Sequence, residues 1–282
     1  MLKSWFQGRV KKGNRLVDGH PLFTYEYSKR GEATLLLHGG LSSTESWDWT
    51  VLPALKRRHV FAYDRTAHGR TGSREGYYHF DFQTNEAISF IEEVIKEPVH
   101  LIGWSDGGII SLLIALKRPD LVRSIVSIGT NFHYSATPQF EEEVVIELTD
   151  DDRARWAEKS PEPPHMQEVI IRKAYEVWKS EPTMTTEDLK EINCPVLVLC
   201  GDDEPFSNLH TVELYESLPN AQLAIVPGTS HAVVKEKPET VQSIIRNFNK
   251  SLKVNNGFPF TKMPNLRKAQ QERLLEQSDS LE

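Results

Sequence analysis

The sequence predicts an α/β protein: a mostly parallel, doubly wound sheet with a helical segment inserted above it. Three observations lead there. Short continuous apolar runs recur along the chain, amphipathic segments separate them, and one stretch of 60 residues, 131–190, contains no such run. Runs rich in Val, Ile and Leu without polar alternation mark strands covered on both faces. Such strands alternating with helices give right-handed crossovers and a parallel sheet.

Taken in order, the chain first offers Arg15–Asp18 and Leu22–Ser28, which alternate in polarity around Asp-Gly-His-Pro and predict an antiparallel hairpin. The buried strands follow at Ala33–Leu37, His59–Tyr63, Val99–Trp104, Arg123–Ile128, Cys194–Cys200 and Gln222–Val226. Amphipathic segments at Asp81–Lys96 and Ser105–Lys117 fill two of the gaps. Between Asn131 and Lys190 the pattern is helical and broken by Pro138, Pro161, Pro163, Pro164 and Pro182. That is too long for a simple crossover, so it is expected to form a cap over the sheet. The expected organisation is therefore one core domain from residues 1–130 and 191–253, a cap at 131–190, and a polar tail at 254–282. Within the tail, Leu266, Leu274 and Leu275 could form no more than a short docking helix.

Composition narrows the function. The chain has 282 residues, 39% hydrophobic and 26% charged, with a net charge of −7, ordinary for a globular domain. An acidic balance offers no basic face for nucleic acid. No apolar run approaches the length of a membrane span, and residues 1–13 hold no apolar core like that of a signal peptide. A cytoplasmic enzyme acting on a small molecule is expected. Cys194 and Cys200 bracket one strand pattern, about 20 Å apart if extended, too far for a disulfide. Two thiols without further ligands nearby argue against a metal site.

The chemistry concentrates at Gly103-Trp104-Ser105-Asp106-Gly107-Gly108, directly after one strand and before a helix. A serine there sits on a sharp strained turn with its hydroxyl lifted clear of the sheet, beside the N–H groups of a helix N-terminus. Such a serine needs a base oriented by a third group. His231, in Gly228-Thr229-Ser230-His231, follows the last strand, at the sheet edge where open α/β folds place their sites. Asp202, Asp203 and Glu204 follow the preceding strand and supply three candidate acids. Glycines in His38-Gly39-Gly40-Leu41 let the amides of Gly40 and Leu41 approach a developing oxyanion, which the Asp106 amide would also reach.

These segments resemble the α/β-hydrolase superfamily over roughly residues 15–253. The match falls at His38-Gly39-Gly40, Asp64–Gly72, Gly103–Gly108 and Gly228–His231, in the family's order. Asp64–Thr71 is similar to the family's D-x-R-G-x-G-x-S turn, departing at Thr66 and Ala67; the resemblance makes this turn structural. It implies an α/β-hydrolase fold, the order serine, acid, histidine, and an acid three residues after the glycine and before a proline. That register selects Glu204, with Asp203 the competitor. The resemblance further implies catalysis without metal or organic cofactor. Gly103–Ile109 looks most like the valacyclovirase-type hydrolases, which cleave amino-acid esters.

The resulting expectation is a serine hydrolase cleaving a small carboxylic ester, lactone or activated amide through an acyl-enzyme. A non-catalytic ligand receptor on the same fold, or a cofactor-free lyase or perhydrolase, are the alternatives. Charge suggests one refinement. Residues 131–190 carry 14 Asp and Glu against 7 Lys and Arg, while the rest of the chain has 26 of each sign. An acidic cap, with Asp106 beside the nucleophile, predicts a preference for cationic substrates.

Overall fold

The computed structural model describes residues 10–27, 29–74, 78–137 and 145–254. Eight strands form one sheet: β1 (Lys11–Val17), β2 (His20–Glu26), β3 (Ala33–Leu37), β4 (His59–Asp64), β5 (Val99–Trp104), β6 (Val122–Ile128), β7 (Val196–Asp203) and β8 (Ala221–Ser230). Their order across the sheet is β1-β2-β4-β3-β5-β6-β7-β8. The β1–β2 hairpin joins antiparallel to β4, and every pairing from β4 to β8 is parallel. The expected hairpin and all six buried strands are present. The last two run on past their apolar cores, because Gly201–Asp203 and Pro227–Ser230 continue the ladder.

Eight α-helices are described: α1 (Phe80–Phe90), α2 (Asp106–Lys117), α3 (Asp150–Ala157), α4 (Met166–Trp178), α5 (Thr186–Lys190), α6 (Asn208–Ser217), α7 (Val233–Glu236) and α8 (Pro238–Val254). The Asp81–Lys96 pattern is helical throughout, but its last turn widens to a π-helix at Ile91–Ile95 and stops at Lys96, in the left-handed region with φ 65°. Each sheet face has its own core. Leu35, Leu37, Tyr63, Leu101 and Ile125 face α1 and α2 on one side. Leu36, Ala62, Ile102, Val126 and Leu199 pack on the other with Val241, Ile245 and Phe248 of α8. Neighbouring residues of one strand thus serve opposite layers, which is why the runs show no polar alternation.

Among the described residues between β6 and β7 there is no strand, only a single bridge between His133 and Thr183. The helices α3 and α5 start in capping boxes, Thr149 with Asp152 and Thr185 with Asp188, each satisfying helix N–H groups that would otherwise lack partners. The segment is fastened to the core at several points. Lys159 pairs with Glu45, which also holds Arg70. Glu181 accepts from the Phe80 amide at 2.8 Å. The polar tail expected at 254–282 lies outside the described residues beyond Val254.

Strand β5 and helix α2 approach closely enough to exclude a side chain between them. A Cβ added at Gly103 would lie 2.0 Å from the Gly107 carbonyl oxygen. Gly103→Ala is expected to destabilise the protein by about 1–3 kcal/mol or more, since the backbone itself must move. A thermal melt with the wild-type midpoint would contradict this close packing.

Candidate active site

Five adjacent strands, β3, β5, β6, β7 and β8, bring their carboxyl ends to one edge of the sheet. The sequence-predicted residues sit there. Ser105 follows β5 with φ 55° and ψ −121°, a conformation few non-glycine residues adopt. Its amide donates to the Ile128 carbonyl at 2.8 Å, and its own carbonyl accepts from the Gly108 and Ile109 amides at the start of α2. The strained turn is thus held from both sides.

A register shift between β7 and β8 decides which carboxylate meets the histidine. Gly201 pairs with Val226, but Asp203 pairs with Ser230, so extra residues bulge from β8. Glu204 and His231 then follow side by side. Glu204 Oε2 is hydrogen-bonded to His231 Nδ1, and its Oε1 accepts from the Gly201 amide at 3.0 Å. The Glu204 side chain is fully buried; that of His231 is 33% exposed. The two other carboxylates turn elsewhere: Asp202 accepts from the Thr229 amide at 3.0 Å, and Asp203 is exposed at the strand end. The structure therefore brings Glu204, not Asp203, to His231. A proton on Nδ1 leaves Nε2 as the acceptor. His231 is also fixed through its carbonyl, which accepts from Trp104 Nε1 at 3.0 Å.

The loop after β3 borders this group. Gly39 lies against Ser105 and Trp104. Leu41 is exposed and left-handed, with φ 51°. The preceding His38 is fully buried; its Nδ1 donates to the Gly39 carbonyl and its Nε2 accepts from the Arg65 amide at 3.1 Å. Burial, then the charge of Arg65, holds His38 well below the ordinary histidine range.

Asp106 differs from expectation. Its carboxylate is already engaged. Oδ2 lies 3.4 Å from Arg65 Nη2, and Oδ1 accepts from Trp178 Nε1 at 3.1 Å. Burial pushes its carboxyl up, while Arg65 and the Trp178 bond pull it down. Neither partner was legible. Arg65 stands in the turn that the family resemblance makes structural, and Trp178 closes an amphipathic helix whose apolar stripe signals packing alone. That turn is otherwise built as a scaffold: Asp64 accepts from the Thr44 amide at 2.9 Å and the Arg70 amide at 3.0 Å. Among the described residues no group of three His, Cys, Asp or Glu could hold a metal ion, both cysteines are free thiols, and no helix is long and apolar enough to cross a membrane.

Comparison with known proteins agrees with this architecture. The model of the alpha/beta hydrolase family matches residues 34–242. The mouse serine hydrolase BPHL is 25% identical over 262 residues, 86% of this chain and 88% of its own length. A non-heme haloperoxidase of Rhodococcus erythropolis is 26% identical, covering 83% of this chain and 97% of that protein. A solved meta-cleavage product hydrolase superposes with a TM-score of 0.68 at 21% identity, over 85% of this chain and 98% of its own.

Proposed function

Because the chain belongs to the alpha/beta hydrolase family and is an enzyme of that type, we propose that it is a serine hydrolase of small carboxylic esters, lactones or activated amides. Ser105 attacks the acyl carbon. His231 takes the serine proton and delivers it to the leaving group, while Glu204 fixes the imidazole tautomer. The amides of Asp106, Gly40 and Leu41 stabilise the oxyanion. A water activated by His231 then hydrolyses the acyl-enzyme, and residues 131–190 act as the cap over this chemistry. The Glu204–His231 hydrogen bond, at the same sheet edge as the strained Ser105, carries the reading. BPHL, a serine hydrolase by name, supports it.

The experiment is labelling of one sample with a fluorophosphonate probe and a burst assay on p-nitrophenyl acetate with a second, unlabelled sample. Ser105 is expected to be modified by the probe, and the burst to release one p-nitrophenolate per site while the acetyl group stays on the enzyme. A chain that binds ligands without turnover would give neither.

Substrate charge is a separate matter. A preference for α-amino esters would need a free carboxylate, and Asp106 has spent its charge on Arg65 and Trp178. Any such preference would have to come from the acidic residues of 131–190, whose field salt screens. An amino-acid ester and its des-amino analogue are therefore expected to differ little in kcat/KM, on the order of threefold or less. The ratio should not change in Asp106→Asn. A ratio of a hundred, collapsing in that variant, would reinstate Asp106 as an ammonium ligand.

A further inference from the structure

The Asp106 carboxylate takes no part in the proposed chemistry, yet it stands beside the groups that do. A Cβ added at Gly40 would lie 2.7 Å from Asp106 Oδ2 and would run into the Trp178 ring. The negative charge thus sits against the same loop whose amides are to face the oxyanion. In a pocket poor in water, a like charge this close opposes the tetrahedral intermediate strongly.

Arg65 supplies the compensating charge. Its side chain is completely buried, and its Nε and Nη1 have no hydrogen-bond partner among the described residues. A guanidinium so poorly satisfied is not kept for its own hydrogen bonds; the interaction it does make is with Asp106. Its backbone amide is tied to His38, next to Gly39, so the cation and the oxyanion loop share one anchor. Trp178 reaches in from α4 to hold the other carboxylate oxygen.

We propose that Arg65 is a positioning residue of the oxyanion hole: it cancels the Asp106 charge, while Trp178 holds that carboxylate against Gly40. Elbow, oxyanion loop and α4 are thereby fixed in one geometry. The inference rests on the reading of Ser105 as nucleophile. The other titratable groups around the pair are His231, His38, His68, Tyr63, whose phenol is held protonated by burial, and Glu86, whose carboxyl burial pushes up and Arg65 also pulls down. Burial keeps His38 and His68 neutral, His68 being lowered to about 3, and the Glu86 carboxylate is occupied by the Thr66 amide and hydroxyl.

The test is the pH profile of kcat on p-nitrophenyl acetate, normalised to sites titrated with the fluorophosphonate. Arg65→Met is expected to lose about 100-fold in kcat, on the scale of a lost oxyanion donor, with KM little changed. Without its cation, Asp106 holds its proton to higher pH. Below that ionisation the variant works; above it the bare carboxylate opposes the oxyanion, so a descending alkaline limb appears. Asp106→Asn in the Arg65→Met background should abolish the limb and recover at least about tenfold, because the amide carries no charge. Trp178→Phe keeps an aromatic ring of smaller size, loses the N–H, and should lower kcat modestly without a new limb. If Arg65→Met does not fold, Arg65→Lys decides: it keeps the charge and should keep the wild-type profile. An Arg65→Met profile of wild-type shape, no recovery in the double variant, or an Arg65→Lys loss as deep as 100-fold would overturn the inference while wild-type acylation stands. A wild type that forms no acyl-enzyme would overturn both the inference and the function it rests on.

Discussion

Ser105→Ala is expected to lower kcat by about 10³-fold or more while the melting temperature stays close to wild type. The reasoning separates chemistry from architecture. Both residues have a Cβ, so the strain of the left-handed turn at φ 55° is unchanged. The backbone bonds that hold the turn, from the Ser105 amide to Ile128 and from Gly108 and Ile109 to the Ser105 carbonyl, do not involve the side chain. Only the proposed nucleophile is removed. What survives is the binding and oxyanion stabilisation that the remaining site still provides. Kinetics and thermal denaturation on the same preparation check both halves. An alanine variant with more than a tenth of the activity would mean that another group attacks the substrate.

Glu204→Gln should be comparably damaging, up to about 10⁴-fold in kcat, and Asp203→Asn nearly silent. Glu204 is buried, accepts from the Gly201 amide and is bonded to His231. An uncharged amide can still fill that space, but it can present an N–H to Nδ1 and so favour the wrong tautomer, and it no longer stabilises the imidazolium. Asp203 points to solvent at the end of β7, where losing a charge costs little. The two variants differ from wild type by single isosteric changes one position apart, which makes the contrast stringent. A large loss in Asp203→Asn alongside a near-normal Glu204→Gln would mean that the bulge between β7 and β8 has another register in solution.

Most of the fold could be read from the chain because both faces of the parallel strands are covered. Leu35, Leu36 and Leu37 belong to alternate layers, and a run of three leucines records that directly. The hairpin was legible for the opposite reason, an exposed face that alternates. Ser105 and His231 were legible because local sequence governs them: glycines flank the elbow, and the histidine follows a strand. The residues alone left Asp202, Asp203 and Glu204 open; the family resemblance, an acid three residues after Gly201 and before Pro205, singled out Glu204, whereas the bulge in β8 that brings it to His231 leaves no mark in Gly201–Glu204. Arg65 and Trp178 were beyond sequence reasoning altogether. Each makes its contact with Asp106 across a gap of 41 or 72 residues, and spacing of that kind leaves no periodic trace.

The five contiguous strand ends also determine when the chain first becomes able to react. The groups named in the chemistry run from Gly40 to His231, and the sheet places β7 and β8, which carry Glu204 and His231, outermost beside β6. A nascent chain emerging from the ribosome exposes Ser105 long before His231 has been synthesised. Until β8 docks on β7, the proposed nucleophile has neither its proposed base nor its orienting acid and remains an ordinary alcohol. Closing loops of this length costs entropy that only the finished sheet recovers. On the proposed chemistry, hydrolytic competence therefore arrives with β8 rather than growing gradually during synthesis, and activity would double as a measure of the fraction of chains in which β8 has docked.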